Sequence, residues 1–202
     1  IASSKANIGM GHTRWATHGV PNDINSHPHV SNSGNIVIIH NGIIENYEPL
    51  KKELLKRGYT FTSDTDTEVL VNLIEDVKNK EKVKLGKAVY YALKQVVGAY
   101  AIVVFDSTNP KELVAARLGS PLAIGVGESE YYFGSDATPF LEFTKRCVYL
   151  NDNEMAIVNL KKGLTLINDD TKIIPGHGPV SNKEEYQSFL TMLETLRKNV
   201  RL

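Results

Sequence analysis

The densest concentration of reactive side chains is Gly11-His12-Thr13-Arg14-Trp15-Ala16-Thr17-His18-Gly19, which gathers a guanidinium, an indole, hydroxyls and two imidazoles where a strand-like run ends in a polar turn. A guanidinium grips a carboxylate through two parallel N–H···O bonds, so Arg14 suits the α-carboxylate of an amino acid. Trp15 suits a pocket wall, and Thr17 and His18 are donors to a small polar ligand. The ordinary alternative is a strand end with a surface arginine and core histidines. Farther along, His40-Asn41-Gly42 closes a β-branched run. An Asn-Gly pair is the usual tight turn. It is also what an oxyanion hole requires, since the Asn41 side-chain amide and the Gly42 backbone N–H are two donors for one point of developing negative charge. Asp64 and Asp66 precede an apolar periodic stretch, where aspartate commonly caps a helix. Read functionally, Asp66 holds an ammonium group and, with Arg14 at the other end, makes a site for a zwitterion.

Other candidates carry less. His27-Pro28-His29 has metal-binding residue types, but two histidines flanking a proline are expected to point in opposite senses along an extended chain, and no third ligand follows at a telling spacing. No metal and no cofactor is assigned. Gly125-Val126-Gly127 lacks the strand, helix and downstream acid of a dinucleotide loop and reads as a hairpin turn. Cys147 follows Lys145 and Arg146, cations that would lower a thiol pKa, but burial in a strand would leave it inert, and that is the reading adopted.

Positioning these groups falls to elements visible in the pattern. Residues 8–15 and 35–40 read as buried strands. Residues 46–57 read as a helix with Leu50, Leu54 and Leu55 on its apolar side and Gly58 at its C-terminal end. Thr65-Asp66-Thr67-Glu68 offers a capping box ahead of Leu70, Leu73, Ile74 and Val77, the spacing of a second helix. Residues 85–96 repeat that period before Gly98. Short strands follow at 100–105, 113–117, 122–126, 131–133, 148–150, 155–159 and 164–167. Strands, then helices, then hairpin-linked strands predict an α+β sandwich of antiparallel sheets with helices packed on them. A turn-rich stretch and an amphipathic helix carrying Tyr186, Phe189, Leu190, Leu193 and Leu196 complete the chain.

Composition narrows the partners. With 202 residues, 42% hydrophobic, the chain has the size and composition of one globular domain. Its 23 basic and 23 acidic residues cancel, so no long-range field recruits nucleic acid or an anionic membrane. No apolar run approaches the roughly 20 residues of a bilayer span. A single cysteine fits a reducing, cytoplasmic setting.

Taken in order, the Gly11–Gly19 cluster, Asn25-Ser26-His27-Pro28-His29, His40-Asn41-Gly42-Ile43-Ile44-Glu45-Asn46-Tyr47, Ser63-Asp64-Thr65-Asp66-Thr67-Glu68 and Ala116-Arg117-Leu118-Gly119-Ser120-Pro121-Leu122 resemble the class II glutamine amidotransferase family. The likeness is strongest to its glutamine–fructose-6-phosphate aminotransferase branch and runs from about residue 8 to about residue 173. It implies an N-terminal-nucleophile hydrolase fold, a four-layer αββα sandwich. It also implies roles: Arg14 and Asp66 on the glutamine α-carboxylate and α-amino group, Trp15, Thr17 and His18 shaping the pocket, His27 in support, and Asn41 with Gly42 as the oxyanion hole. The partners it implies are L-glutamine and sugar-isomerase domains that bind fructose-6-phosphate and form a homodimer.

The departures set further expectations. The family's opening cysteine, which attacks the amide with its own α-amine as base, does not occur, so N-terminal strands are expected to be missing and the chain alone to be inactive. Residues 1–172 are expected to form a partial class II glutaminase domain, and 173–202 a turn-rich linker and helix. The tail Ile174-Pro175-Gly176-His177-Gly178-Pro179-Val180 resembles the end of metallo-β-lactamase-fold hydrolases, where such a histidine binds zinc; lacking the fold's other ligands, it makes no metal site. The rival readings are a non-catalytic glutamine-binding or scaffold fragment and a zinc-dependent hydrolase fragment.

Overall fold

Alternating side chains sort the central strands between two cores, and that sorting builds the layers. The computed structural model describes residues 7–14, 19–159 and the backbone of 163–167. Nine strands are formed: β1 (His29–Val30), β2 (Ile36–Ile44), β3 (Gly98–Asp106), β4 (Glu112–Leu118), β5 (Ala123–Val126), β6 (Tyr131–Gly134), β7 (Cys147–Tyr149), β8 (Met155–Asn159) and β9 (Gly163–Ile167). Six make an antiparallel sheet in the order β1-β2-β3-β4-β8-β9, and three make a second antiparallel sheet, β6-β5-β7. In β2 to β4, Ile36, Ile38, Ile102, Val104, Val114 and Ala116 enter the core beneath the helices. Their neighbours Ile39, Ala101, Val103, Leu113 and Ala115 join Leu122, Ile124 and Leu150 in the core between the sheets. Both faces of the large sheet are therefore apolar, which is why its strands read as continuous hydrophobic runs.

Three helices cover one face: α1 (Tyr47–Lys56), α2 (Asp66–Glu81) and α3 (Leu85–Leu93). Helix α2 lies between the other two, and Val69, Leu70, Val71, Leu73 and Ile74 are all buried. Each such side chain contributes about 1.5–3 kcal/mol by leaving water, so α2 is the best-anchored element next to the site. Its capping box is half formed: Thr65 Oγ1 accepts the Glu68 N–H at 3.2 Å, whereas the Glu68 carboxylate reaches past Thr65 to the Ser63 N–H at 2.7 Å and the Thr62 N–H at 2.9 Å. Helices, large sheet and small sheet give three of the four layers implied by the family resemblance among the described residues.

Several expectations are corrected. Asn41-Gly42 is not a turn: β2 runs through it to Ile44, paired with β3 from Ile36↔Asp106 to Ile44↔Gly98. The reversal instead comes after Ile44, where Glu45 and Asn46 lead into α1. Residues 8–14 join no ladder; the alternation of Ile8 and Met10 that suggested a strand is that of a segment leaning on the inter-sheet core. Leu54 is buried but Leu55 is 51% exposed, because adjacent helical residues point about 100° apart and only one can face the sheet. The third helix stops at Leu93, and the residues before Gly98 form turns. Strand β1 has two residues, too few for a periodic signal. Among the described residues no helix is long and apolar enough to cross a membrane. The segment 173–202, with His177, lies outside the described residues.

Candidate active site

The capped first turn of α2 anchors the site. The Thr65 cap makes Asp66 the first helical residue, 3% exposed, where the positive end of the helix favours negative charge. Asp66 Oδ2 accepts the Ile44 N–H at 2.7 Å, fastening the end of β2 to the helix and so setting Asn41 and Gly42, on the same strand, relative to the carboxylate. Gly42 sits at φ 127°, and a Cβ there would lie 2.1 Å from the Ala99 carbonyl oxygen. Only glycine allows β3 to approach this closely.

The other wall is the segment that carries Arg14, a residue in the left-handed region at φ 47°. Its guanidinium donates from Nη1 to the Val20 carbonyl at 3.2 Å and from Nη2 to the Gly19 carbonyl at 3.1 Å. Buried Asn25 secures that loop. Its Nδ2 donates to the same Val20 oxygen at 3.0 Å, and its Oδ1 accepts the Asp64 N–H at 2.9 Å. The strand of loop carrying the guanidinium's carbonyl partners is thereby joined to the loop that enters α2.

Between the walls is a cavity of about 300 Å³ lined by Arg14, His27, Asn41, Gly42 and Asp66, together with His12, His40, Ile43, Thr65 and Thr67. Five residues singled out in the sequence thus surround one hollow. Asp64 is not among them. Trp15, Thr17 and His18 lie outside the described residues. The expectation for His27 and His29 is corrected: their rings meet edge to face at 5.0 Å, because the chain is not extended at Pro28. His29 Nε2 lies 3.1 Å from Thr65 Oγ1, and the His27 ring packs tilted by 35° against His12, with 4.3 Å between centroids.

Burial dominates the electrostatics of these imidazoles. It depresses the His27 pKa to about 3, with nearby His12 adding to the effect. It also lowers the pKa of His29, against the opposing pull of Glu68, and of His40, against that of Asp66. These three rings are neutral at pH 7, and Arg14 brings positive charge to the cavity wall. His40 Nδ1 is 2.9 Å from Thr67 Oγ1; among the described residues, His40 Nε2 and His27 Nδ1 are buried without a protein partner. Sequence reasoning assigned no role to His12, His40 or Thr67; the nearest signal was the position of His12 two residues before Arg14. Among the described residues no group of three or more His, Cys, Asp or Glu side chains is arranged to hold a metal ion. Cys147 sits in β7, away from the cavity, with burial pushing its thiol pKa up. Its cationic neighbours do not activate it; Arg146 donates instead to the Gly127 carbonyl at 3.0 Å.

An arginine, an aspartate and an asparagine thus stand around one hollow, in a chain whose family comparison with known proteins identifies. Residues 2–189 match the glutamine amidotransferase domain. The chain belongs to that family. Within it, the chain is 52% identical over 160 residues to the glutamine–fructose-6-phosphate aminotransferase of Bacteroides thetaiotaomicron, covering 79% of this chain and 26% of that one. It is 47% identical over 188 residues to the enzyme of that name from Pyrococcus horikoshii, covering 93% and 30%, and 50% identical over 148 residues to that of Escherichia coli, covering 73% and 24%. The chain thus spans less than a third of the length of these relatives. Among solved structures, the glutamine phosphoribosylpyrophosphate amidotransferase of B. subtilis superposes with a TM-score of 0.61 at 28% identity, covering 77% of this chain and 33% of that one. The α+β architecture is therefore the N-terminal-nucleophile hydrolase fold of glutamine amidotransferases, and by sequence the chain is nearer to the aminotransferases than to this amidotransferase.

Proposed function

We propose that this chain is the glutamine-binding portion of a glutamine–fructose-6-phosphate aminotransferase and that its cavity holds L-glutamine as a zwitterion. In this reading Arg14 takes the α-carboxylate, Asp66 the α-amino group, and the amide carbonyl faces the Asn41 side-chain amide and the Gly42 N–H. The observation that carries the reading is the joint lining of one hollow by those four residues. Its volume of about 300 Å³ lies at the small end of ligand sites, roughly 300–1,000 Å³, which suits a single amino acid. His27 packs the cavity wall in support, and Trp15, Thr17 and His18, next along the chain from Arg14, are assigned to the same pocket.

In the complete enzyme the released ammonia passes to fructose-6-phosphate on sugar-isomerase domains of a cytoplasmic homodimer, giving glucosamine-6-phosphate. Support comes from the shared name and 47–52% identity of the relatives. The thiol nucleophile this chemistry needs is not supplied by Cys147, whose place in β7 and raised pKa argue against it. The 202 residues alone therefore bind glutamine without cutting it.

Titration calorimetry with L-glutamine tests this. Saturable binding is expected, weakened at least about tenfold by Arg14→Ala and by Asp66→Asn, since each removes a charge-assisted contact worth about 1.5–3 kcal/mol. Absence of binding, or affinity in both variants equal to that of the unsubstituted chain, would overturn it.

A further inference from the structure

We propose that His12 is a positioning residue that sets which end of the Asn41 carboxamide faces the cavity. A carboxamide has a donor end and an acceptor end of nearly equal size, and only the donor end serves a carbonyl oxygen or an oxyanion. Something must therefore hold it one way round. Packing alone barely distinguishes the two orientations; hydrogen-bond polarity does.

The polarity here begins at a group whose role is fixed. The Arg14 backbone N–H can only donate, and it donates to His12 Nδ1 at 2.9 Å. Nδ1 is therefore the acceptor nitrogen of the imidazole, and the ring carries its proton on Nε2. Nε2 lies 2.7 Å from Asn41 Oδ1. With a proton on Nε2 this contact is a donation to the oxygen of the carboxamide, and the reversed orientation would set N–H against N–H. The Asn41 oxygen is thus turned to His12 and its NH2 away from it, in a cavity that both residues line. The His27 ring packs against His12, with centroids 4.3 Å apart and planes tilted by 35°. One short segment, residues 12–14, therefore both carries the guanidinium and orients the Asn41 amide. Moving Arg14 would also release Asn41.

The inference rests on the glutamine reading of the cavity for its consequence, but the orientation is measurable without ligand. Long-range 15N–1H correlation spectra of the 202-residue chain report the tautomer of each histidine. The proton of His12 is expected on Nε2; a proton on Nδ1 would overturn the proposal outright. The consequence is read by a double-mutant cycle in which L-glutamine is titrated into wild type, His12→Ala, Asn41→Ala and the double variant. His12→Ala is expected to weaken binding roughly three- to tenfold, the worth of one aligned hydrogen bond, and to have no further effect once Asn41 is alanine. His12→Gln, which restores an N–H near the Nε2 position, should recover most of the loss. It also serves as the second variant if alanine perturbs folding. Additive losses from the two single substitutions would refute positioning through Asn41. If Asn41→Ala leaves glutamine binding unchanged while the Nε2 tautomer is observed, the orientation is supported and the glutamine reading is what fails.

Discussion

Replacing Gly42 by alanine puts the cavity's best-defined backbone contact under test. A Cβ at this position would lie 2.1 Å from the Ala99 oxygen, 2.7 Å from the Ala99 carbonyl carbon and 3.0 Å from Tyr100 Cα. All three are backbone atoms of the neighbouring strand, so no side-chain rotation relieves the overlap. The backbone must move within a nine-residue pairing between β2 and β3. Two costs apply: a non-glycine residue at φ 127°, roughly 1–3 kcal/mol, and overpacking of a close-packed interior, about 1–3 kcal/mol or more. Gly42→Ala is thus expected to cost about 4 kcal/mol, a large part of the 5–15 kcal/mol typical of a folded domain. Gly34→Ala is the control. That glycine also has positive φ, 78°, but nothing lies within 4 Å of its would-be Cβ, so it should show the conformational cost alone, about 1–2 kcal/mol. In urea denaturation followed by circular dichroism, with a slope of roughly 2 kcal/mol/M, the Gly42 variant should unfold about 1 M below the control. Equal midpoints for the two variants would refute the steric argument.

Other expectations follow from buried polar groups. Glu75, 4% exposed, accepts from Ser31 Oγ at 2.5 Å, from the Ser33 N–H at 3.2 Å and from Ser33 Oγ, stapling the β1–β2 turn to α2. Glu75→Ala should cost about 3 kcal/mol by stranding those donors, seen as a fall in Tm of roughly 6–12 °C. The histidines predict acid sensitivity. His27, His29 and His40 all have pKa values below 6.5 when folded, chiefly through burial, so the unfolded chain binds protons first as pH falls. Stability is complete above about pH 6.5 and declines below it by up to about 1.4 kcal/mol per pH unit per histidine, less for the partly exposed His27; stability that rises between pH 6.5 and 5 would contradict this. Cys147→Ala should leave L-glutamine affinity unchanged in calorimetry, and a loss would place the thiol in the site.

Much of the site was legible because its chemistry is local in sequence. Asn41 and Gly42 are adjacent, Asp66 follows its own capping residue, and Arg14 lies in a run too polar for plain structure. What the sequence did not reveal is how these segments meet. The Asn41-Gly42 pair carries the commonest turn signal, and only the Ala99 carbonyl, 57 residues away in sequence, explains why a glycine is needed inside a strand. The strand assigned to residues 8–15 failed for a related reason: alternation reports a half-buried segment, not a hydrogen-bonded partner. Leu55 was grouped with Leu50 and Leu54 on the apolar side because period alone does not choose between two adjacent leucines. His12 escaped notice since its role depends on a backbone N–H and a side chain on another strand. The element order, in contrast, was readable throughout the helical region, where turns, caps and periodicity agree.

The central claim, that the hollow between Arg14, Asn41 and Asp66 is a glutamine site, is tested most directly by adding L-glutamine to the 15N-labelled chain and mapping the amide resonances that move. The account predicts saturable shifts at the Gly42 amide, at the Asn41 side-chain NH2 and at the Ile44 amide that donates to Asp66. Shifts confined to the apolar groove beside Val83, Tyr90, Met155 and Ile157, or no shifts at all at saturating ligand, would contradict it.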